Sequence, residues 1–394
     1  MISKELKETL NSKSASIIRK MFEEGIVMKK KFGEDKVYDF SLGNPDLEPP
    51  KEVVEAIKAV ANDTSPGIHG YMPNAGYVET RKAMAKKVSL EQSVDVNWEN
   101  VIITVGAASA LNCIFKSILS SDDEVIVPKP FFAEYRNYVK NFSGKLIEVP
   151  TKPDFSLDFD AIKSVLSVKT AAVLINSPNN PTGKVYSSED IENLVNLLNK
   201  HKEESGRTPY LICDEPYRAI TYDNKQVCSI FKYYDSSIIV SSFAKNLSIP
   251  GERIGYIAIN EACEDREMLV SACVFSLRTL GCVNAPAFFQ RVVEKSWDAK
   301  VDYSSYTKRR DMLMNILDKA NIEYFRPEGA FYLFCKVPDK FNNDDMAFAE
   351  HLKKFNIICA PGVGFGGPGW FRLAYCVSEA TIINSENAFI NAMK

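Results

Sequence analysis

Polar residues that could do chemistry follow three strongly apolar segments in the middle of the chain. The segments are AAVLI, PYLIC and SIIV, and the polar residues after them are Asn180, Asp214, Tyr217, Ser242, Lys245 and Arg253. In a parallel sheet, the carboxyl ends of the strands share one crevice, so that these groups should meet there. The segment TVGAASAL adds small residues at a predicted helix N-terminus, whose free backbone N–H groups favour a phosphate. Together these groups suit an aromatic, phosphorylated ligand that carries an aldehyde.

The elements that must position these residues form a regular alternation of strands and helices between residues 100 and 259. The predicted strands are NVIITV, EVIVP, KLIEVP, AAVLINSP, PYLICDEP, SIIVSSF and RIGYIAIN. Between them lie amphipathic segments such as ASALNCIFKSILSS and SSEDIENLVNLLNKHKEES, the second of which begins with Ser188 as its predicted N-cap. Because several strands are apolar on both faces, the pattern predicts an α/β fold in which helices cover both faces of a mostly parallel sheet.

The two ends of the chain have a different character. Beyond residue 285, long charged helices and the strands FYLFCKV, IICAP and WFRLAYC indicate an α+β region. At the other end, a helix from about Ser16 to Lys31 precedes a span that is too rich in glycine and proline for regular structure. We therefore predict a large domain of residues 46–285 and a small domain formed by residues 1–45 together with residues 286–394.

Composition excludes several classes of protein. The 394 residues include 48 basic and 51 acidic side chains, and the basic ones form no block. This distribution argues against nucleic-acid binding and against a polybasic membrane anchor. Nine cysteines without a C-x-x-C pair argue against a disulfide framework and a zinc module. The first residues have no apolar signal core, and no run of 18 apolar residues follows. We expect a soluble, cytoplasmic protein that binds small molecules.

Two motif matches and the histidines offer other interpretations. GVGFGG at residues 362–367 fits G-x-G-x-x-G, but a predicted strand follows instead of the helix that a dinucleotide site requires. TGK at residues 182–184 ends like a P-loop but lacks the hydroxyl residue that should come next. Of the histidines, none has a metal-ligand spacing; we expect His201 and His351 to be solvated helix residues and His69 to lie in a loop.

Six motifs, in this order and spacing, resemble one known family. They are SLGNPD, GYMPNAG, NSPNNPTG, DEPY, the stretch S-x-x-K-x-x-x-x-P-G-x-R-x-G from Ser242 to Gly255, and the arginine of WFRLAYC. The chain resembles the pyridoxal-phosphate-dependent aminotransferases of fold type I, class I/II, over nearly its whole length, and it is similar to aspartate aminotransferases among them. This resemblance implies pyridoxal 5′-phosphate as cofactor.

The resemblance implies a catalytic group of three residues. Lys245 would hold the cofactor as a Schiff base and later move the substrate's proton, which requires a neutral amine and a site that lowers its pKa. Asp214 would keep the pyridine nitrogen protonated, so that the ring accepts electrons. Tyr217 and Asn180 would hydrogen-bond the phenolic oxygen of the ring. The alternatives are a surface lysine, a carboxylate that caps a helix, and a tyrosine that only packs.

The resemblance also implies how the cofactor is held. Ser242, Arg253 and backbone amides at the start of a helix would bind the phosphate, and Phe132 would stack on the ring. The residues at that helix start are Gly106, Ala107 and Ala108. Tyr71 corresponds to the position from which family members reach the phosphate of a neighbouring subunit, which implies a homodimer with shared sites.

Arg372 lies in an otherwise apolar strand, where an arginine needs a carboxylate partner. Family similarity makes that partner the substrate's α-carboxylate, and a structural salt bridge is the alternative. By the same similarity, Gly43, Asn44, Asn176 and Asn180 lie near this carboxylate.

The implied activity is a ping-pong transfer of the amino group of an L-amino acid to a 2-oxo acid such as 2-oxoglutarate. Aspartate is the first expected donor, although the residue that would read its distal carboxylate is open. Ala108 stands where some aspartate enzymes have a lysine, and Arg278 is about one residue from the position of an arginine that others use from the partner subunit. A carbon–sulfur β-lyase on the same fold is a second interpretation. A transcription regulator is a third, but no basic DNA-binding segment precedes the first helix.

Overall fold

The structure, a computed structural model, describes residues 2–3, 6–7, 10 and 17–394. Its first long helix, α1, spans Ile17–Phe32. Ser16, at which the sequence predicts this helix to begin, lies outside the described residues. Within the part of the chain that the structure describes, no helix combines the length and the apolar character needed to cross a membrane.

The strands agree with the apolar segments of the sequence. They are β1 (Tyr38–Asp39), β2 (Val101–Thr104), β3 (Glu124–Pro128), β4 (Lys145–Val149), β5 (Thr170–Asn176), β6 (Tyr210–Asp214), β7 (Ser237–Ser242), β8 (Gly255–Ile259), β9 (Tyr324–Phe325), β10 (Tyr332–Lys336), β11 (Ile357–Ile358), β12 (Ala360–Pro361) and β13 (Trp370–Ala374). Seven of the described strands form one sheet in the order β2, β8, β7, β6, β5, β3, β4. Strand β8 runs antiparallel to its neighbours β2 and β7, and the remaining neighbours are parallel. The predicted mostly parallel sheet is confirmed.

Helices cover both faces of this sheet. After α1 they are α2 (Lys51–Ala61), α3 (Val78–Gln92), α4 (Gly106–Ile118), α5 (Tyr135–Lys140), α6 (Phe159–Val165), α7 (Ser188–Ser205), α8 (Phe243–Asn246), α9 (Arg266–Thr279), α10 (Ala287–Ser296), α11 (Ser304–Lys319), α12 (Asp345–Lys353), α13 (Glu379–Asn384) and α14 (Glu386–Met393). Side chains of α2, α3, α6, α7 and α10 form a core with one face of the strands, and those of α4, α5 and α9 form a core with the other. The predicted α/β fold is therefore confirmed.

Alternate residues of each central strand enter different cores because successive strand side chains point to opposite faces. In β6, Leu211 and Cys213 lie in the core that contains α3 and α7, whereas Ile212 lies in the core that contains α4 and α5. This alternation decides on which side of the sheet the residues after β6 emerge.

The chain ends form a second structural unit around a smaller antiparallel sheet, in the order β12, β13, β10, β9. Its core includes Leu313 and Leu317 of α11, Phe348 of α12 and Phe389 of α14. Strand β1 pairs in parallel with β11 and so joins the early and late parts of the chain. The α+β character expected beyond residue 285 is present.

The proposed domain boundaries, residues 46–285 and residues 1–45 with 286–394, stay a prediction. The cores follow them only in part, because Val292 and Val293 of α10 belong to the core of the large sheet although they come after residue 285.

Three local predictions are wrong, each because tertiary packing or cap geometry decides the point. Helix α7 is capped by Ser187, not Ser188: the Ser187 hydroxyl accepts the backbone N–H of Asp190 at 3.0 Å in a capping box. His201 is buried, since it continues the apolar stripe of α7. His351 is not simply solvated, because its Nε2 lies 2.8 Å from the carbonyl oxygen of Ala392.

The glycine loop and the remaining histidine agree with their predicted places. Gly362–Phe365 form a short 3-10 helix between β12 and β13, so no long helix follows the loop as a dinucleotide site requires. His69 lies exposed in the loop between α2 and α3.

Candidate functional site

The carboxyl ends of the central strands open into one cavity of about 310 Å³ between the two structural units. The strand pairing explains the convergence, because Asn176 at the end of β5 stands beside Asp214 at the end of β6, and Ser242 at the end of β7 faces Gly255. Residues of the second unit, Tyr332 of β10 and Arg372 of β13, complete the wall.

Most of the predicted site residues line this cavity. They are Gly43, Ala107, Ala108, Phe132, Asn176, Asn180, Asp214, Tyr217, Ser242, Lys245, Arg253 and Arg372. Gly106 is the first residue of α4 and directly precedes the lining residues Ala107 and Ala108. Three others are not brought together with them: Tyr71 is 95% exposed, and Asn44 and Arg278 are exposed outside the lining of the cavity.

Lys245 lies in α8, one turn after β7, and its side chain enters the cavity. Its Nζ donates to the carbonyl oxygen of Gly43 at 2.7 Å and lies 5.4 Å from the centre of the Phe331 ring. Removal from water and, to a smaller extent, the nearby guanidinium groups of Arg372 and Arg253 lower its pKa to about 8. Lys245 is therefore closer to the neutral, nucleophilic form at neutral pH than an exposed lysine is.

Asp214 is a buried carboxylate with one free oxygen. Its Oδ2 accepts a hydrogen bond from the hydroxyl of Tyr135 at 2.6 Å, while its Oδ1 is buried without a partner among the described residues. Burial raises the pKa of Asp214 to about 6, and the bond from Tyr135 acts in the opposite direction. A cationic or N–H donor in the cavity would satisfy the unpaired oxygen.

Arg372 is held between two aromatic rings, with its Cζ 4.4 Å from the centre of Tyr332 and 4.7 Å from that of Phe365. Its Nη1 donates to Asn180 Oδ1 at 2.8 Å and its Nη2 to the carbonyl oxygen of Ser41 at 2.7 Å. Both partners are neutral oxygens, so the structural salt bridge that the sequence left open is not formed among the described residues. The buried cation can pair with an anion that enters the cavity.

The start of α4 forms a cradle with Arg253. Gly106 has a φ of +77°, and a Cβ added to it would lie 2.9 Å from Nη2 of Arg253. A residue with a Cβ would fill this space, and residues other than glycine rarely adopt such a φ. Glycine therefore keeps the space open. The first amides of a helix are free to bind an anion, so Ala107, Ala108 and Arg253 can hold a phosphate with the neighbouring Ser242.

Sequence reasoning missed two tyrosines of the site. The hydroxyl of Tyr332 lies 2.8 Å from that of Tyr217, and its ring covers Arg372. Tyr332 gave no signal, because it lies in an apolar strand far along the chain. Tyr135, by contrast, follows Phe132 by three residues, a spacing that can place two side chains on one side of a helical turn.

Comparisons with known proteins agree with this geometry. The family model for aminotransferase class I and II matches residues 35–385. A probable aspartate aminotransferase of Methanocaldococcus jannaschii is 30% identical over 356 residues, which cover 87% of this chain and 90% of that protein.

Solved structures give the same result. An amino transferase from Eubacterium rectale shares 39% identity at a TM-score of 0.94, over 100% of this chain and 98% of that one. The aspartate aminotransferase from Thermus thermophilus with maleate shares 26% identity at a TM-score of 0.87, over 100% of this chain and 99% of that one.

Proposed function

This chain belongs to the aminotransferase class I and II family, and from that premise we propose that its cavity binds pyridoxal 5′-phosphate through Lys245 and transfers the amino group of aspartate to 2-oxoglutarate. The chain is an aminotransferase, with amino acids and 2-oxo acids as substrates. The observation that carries the site assignment is that one cavity holds a lysine of lowered pKa, a buried carboxylate and an arginine. Among the described residues, one oxygen of this carboxylate has no partner and the arginine pairs with no carboxylate.

The described residues fit this cofactor. Asp214 Oδ1 is the acceptor that a protonated ring nitrogen requires, and the space kept open by Gly106 suits a phosphate beside Arg253. Lys245, Ser242, Tyr217, Asn180 and Phe132 would hold the remainder, as the resemblance implies; all five line the cavity. When bound, pyridoxal phosphate supplies an electron sink for bond changes at the α-carbon of the substrate.

Lys245 has two tasks in this proposal. As a neutral amine it would hold the cofactor covalently, and as a free amine its Nζ would take the proton that leaves the substrate's α-carbon. The lowered pKa near 8 suits both tasks, because the free amine is present in a useful fraction at neutral pH.

Arg372 would bind the α-carboxylate of the amino acid and of the 2-oxo acid. Its guanidinium is fixed by Asn180 and Ser41 and by the rings of Tyr332 and Phe365, so little side-chain entropy remains to be lost on binding. Asn176 crosslinks the ends of β5 and β6 beside this cavity, since its amide donates to the backbone carbonyl of Asp214 at 2.7 Å. The two substrates would occupy this place in turn, as a ping-pong reaction requires.

We also propose a homodimer in which Tyr71 reaches the neighbouring site. The loop that carries Tyr71 is bonded to the segment after α9, since Asn74 Nδ2 donates to the carbonyl oxygen of Val283 at 3.1 Å. Tyr71 and Val283 in these two segments, and Phe275 in α9, are exposed large apolar side chains of the kind that an interface covers. Arg278 is exposed near them and is the candidate for contact with a distal carboxylate of the substrate in the partner. The nine free cysteines support a reducing, cytoplasmic location.

The test is a panel of amino donors, with aspartate first, against 2-oxoglutarate, followed by absorbance of the cofactor. We expect aspartate to convert the aldehyde form of the cofactor to the amine form in the absence of any 2-oxo acid, and 2-oxoglutarate to reverse the change. Conversion by other donors but not by aspartate would remove aspartate from the proposal. Release of pyruvate and ammonia from cystathionine without a 2-oxo acid would indicate the β-lyase instead.

A further inference from the structure

Tyr135 is a buried phenol that contacts the site from the helix layer rather than from the cavity wall. It is the first residue of α5, and its ring lies 5.5 Å from that of Phe132 in an edge-to-face arrangement. Its ring also stacks on that of Phe131, with the two ring centres 6.3 Å apart. Because these contacts fix the ring, the hydroxyl can point in only one direction, toward Asp214.

The bond from Tyr135 to Asp214 has the geometry of a strong, charge-assisted hydrogen bond. The two oxygens are 2.6 Å apart, which is the range typical of a hydroxyl that donates to an ionised carboxylate. The bond occupies Oδ2 and leaves Oδ1 as the only oxygen of the carboxylate that can accept from the cavity. Tyr135 thus selects which oxygen faces the ligand.

A phenol differs from a cation as a partner for this carboxylate. Burial and the charge of Asp214 raise the pKa of Tyr135 well above its ordinary value, so the hydroxyl keeps its proton and its bond at every pH at which the protein functions. A neutral donor stabilises the carboxylate without cancelling its charge. The full negative charge then remains for a cationic group of the ligand.

Other titratable groups also face Asp214 or share its surroundings, and none of them bonds to it among the described residues. Cys213 precedes it on β6, Tyr138 approaches from α5 and Tyr217 from the turn after β6. Lys245, Arg253 and Arg372 line the same cavity from α8, the segment before β8, and β13. Burial is the largest influence and favours the neutral acid, and the one bond that opposes it comes from Tyr135.

We propose that Tyr135 is a positioning residue that keeps Asp214 ionised and directs its Oδ1 toward the ring nitrogen of the bound cofactor. The inference rests on the proposed cofactor, and it adds a residue that does not touch the ligand. It explains how a buried carboxylate that forms no ion pair among the described residues can present a negative charge to the cavity.

The test measures the dissociation constant of pyridoxal 5′-phosphate by absorbance at pH 6 and pH 8.5. It compares the wild type with Tyr135→Phe and with Tyr234→Phe as matched control. Tyr234 is also buried, and its hydroxyl donates to the carbonyl oxygen of Pro209 at 2.8 Å outside the cavity. The control therefore loses a comparable bond without any change at Asp214.

We expect the ratio of the Tyr135→Phe constant to the wild-type constant to be about tenfold larger at pH 6 than at pH 8.5, since loss of the donor raises the pKa of Asp214. Ionisations of the free cofactor cancel in this ratio. For Tyr234→Phe the ratio should be equal at both pH values. In an Asp214→Asn background, Tyr135→Phe should change the constant by less than about twofold, because the effect passes through the carboxylate.

Each other outcome counts against the inference. A pH-independent ratio for Tyr135→Phe overturns it and leaves the proposed cofactor intact, whereas a wild type that binds no pyridoxal phosphate overturns both. Infrared difference spectra of the wild type against Asp214→Asn at pH 7.5 test the same point without a change at residue 135. A carboxylate band is expected, and a protonated carboxyl band overturns the inference.

Discussion

Two neighbouring carboxylates, Asp214 and Glu215, are both buried at the end of β6 and are used in opposite ways. Asp214 follows the alternation of the strand toward α4 and α5, where its partners are the hydroxyl of Tyr135 and the cavity. Glu215 faces α3 on the other side of the sheet, where it forms an ion pair with Arg218 and accepts from the amide of Gln92 at 3.2 Å.

The difference lies in the partner, not in the degree of burial. Burial raises the pKa of both groups, that of Asp214 to about 6 and that of Glu215 to about 7, where the charge of Arg218 counteracts it. Arg218 also donates to backbone carbonyl oxygens, among them that of Val227 at 3.0 Å. Glu215 is therefore a closed crosslink that stabilises the fold, whereas Asp214 keeps one oxygen for a ligand.

The largest effect on activity is expected from a substitution inside the cavity that Asp214 lines. Lys245→Ala removes the amine from the same cavity as Asp214 and should lower kcat by roughly 10⁴-fold, with little change in melting temperature. The matched control is Lys353→Ala, which removes a half-buried lysine paired with Glu24 and Glu350 outside the cavity. Steady-state kinetics and cofactor absorbance measure the result. Full activity without the lysine would exclude its proposed role.

Arg218→Met tests the second carboxylate, because it leaves the buried charge of Glu215 without its cationic partner. We expect the free energy of unfolding to fall by about 3–5 kcal/mol at pH 8.5, measured with urea, and kcat of the folded fraction to stay close to the wild type. The loss should be smaller at pH 6, because Glu215 can then be protonated. The double variant Glu215→Gln, Arg218→Met should recover stability; if it is no better than the single variant, the ion pair is not the cause.

Asp214→Asn should change how stability depends on pH in the cofactor-free protein. Because the pKa of Asp214 is raised in the folded state, the unfolded chain binds fewer protons between about pH 4 and pH 6, and stability falls as pH rises through this window. The variant should lack the part of this fall in the free energy of unfolding that Asp214 causes, on the order of 3 kcal/mol at most. Urea unfolding from pH 4 to pH 8 measures it, and parallel curves for the two proteins would contradict it. The decline caused by Glu215 should persist in both.

The smallest effect is expected at the N-cap of α7, which lies away from both carboxylates. Ser187→Ala removes the capping box of α7 and should lower the free energy of unfolding by about 1 kcal/mol without an effect on kcat. Ser188→Ala is its control, since Ser188 is already the first helical residue and should matter less. Equal losses for the two variants would show that Ser187 is not the cap.

Much of the candidate site could be predicted because it depends on strand ends. Asn180, Asp214 and Lys245 follow apolar segments, and parallel strands bring such ends together at one edge of the sheet. Tyr332 and Arg372 come from the other structural unit, and their contact with Tyr217 and Asn180 spans 115 and 192 residues of sequence. No local pattern encodes a contact over that distance.

The sequence by itself determined the sheet, the cavity at its edge and the family, because alternation, strand ends and motif spacing are properties of neighbouring residues. Only the tertiary structure decided that Tyr135 bonds to Asp214, that Arg372 contacts the rings of Tyr332 and Phe365, and that Tyr332 completes the cavity wall. The physical reason is that side-chain partners are chosen by how helices and sheets pack, and packing joins residues that the chain keeps apart.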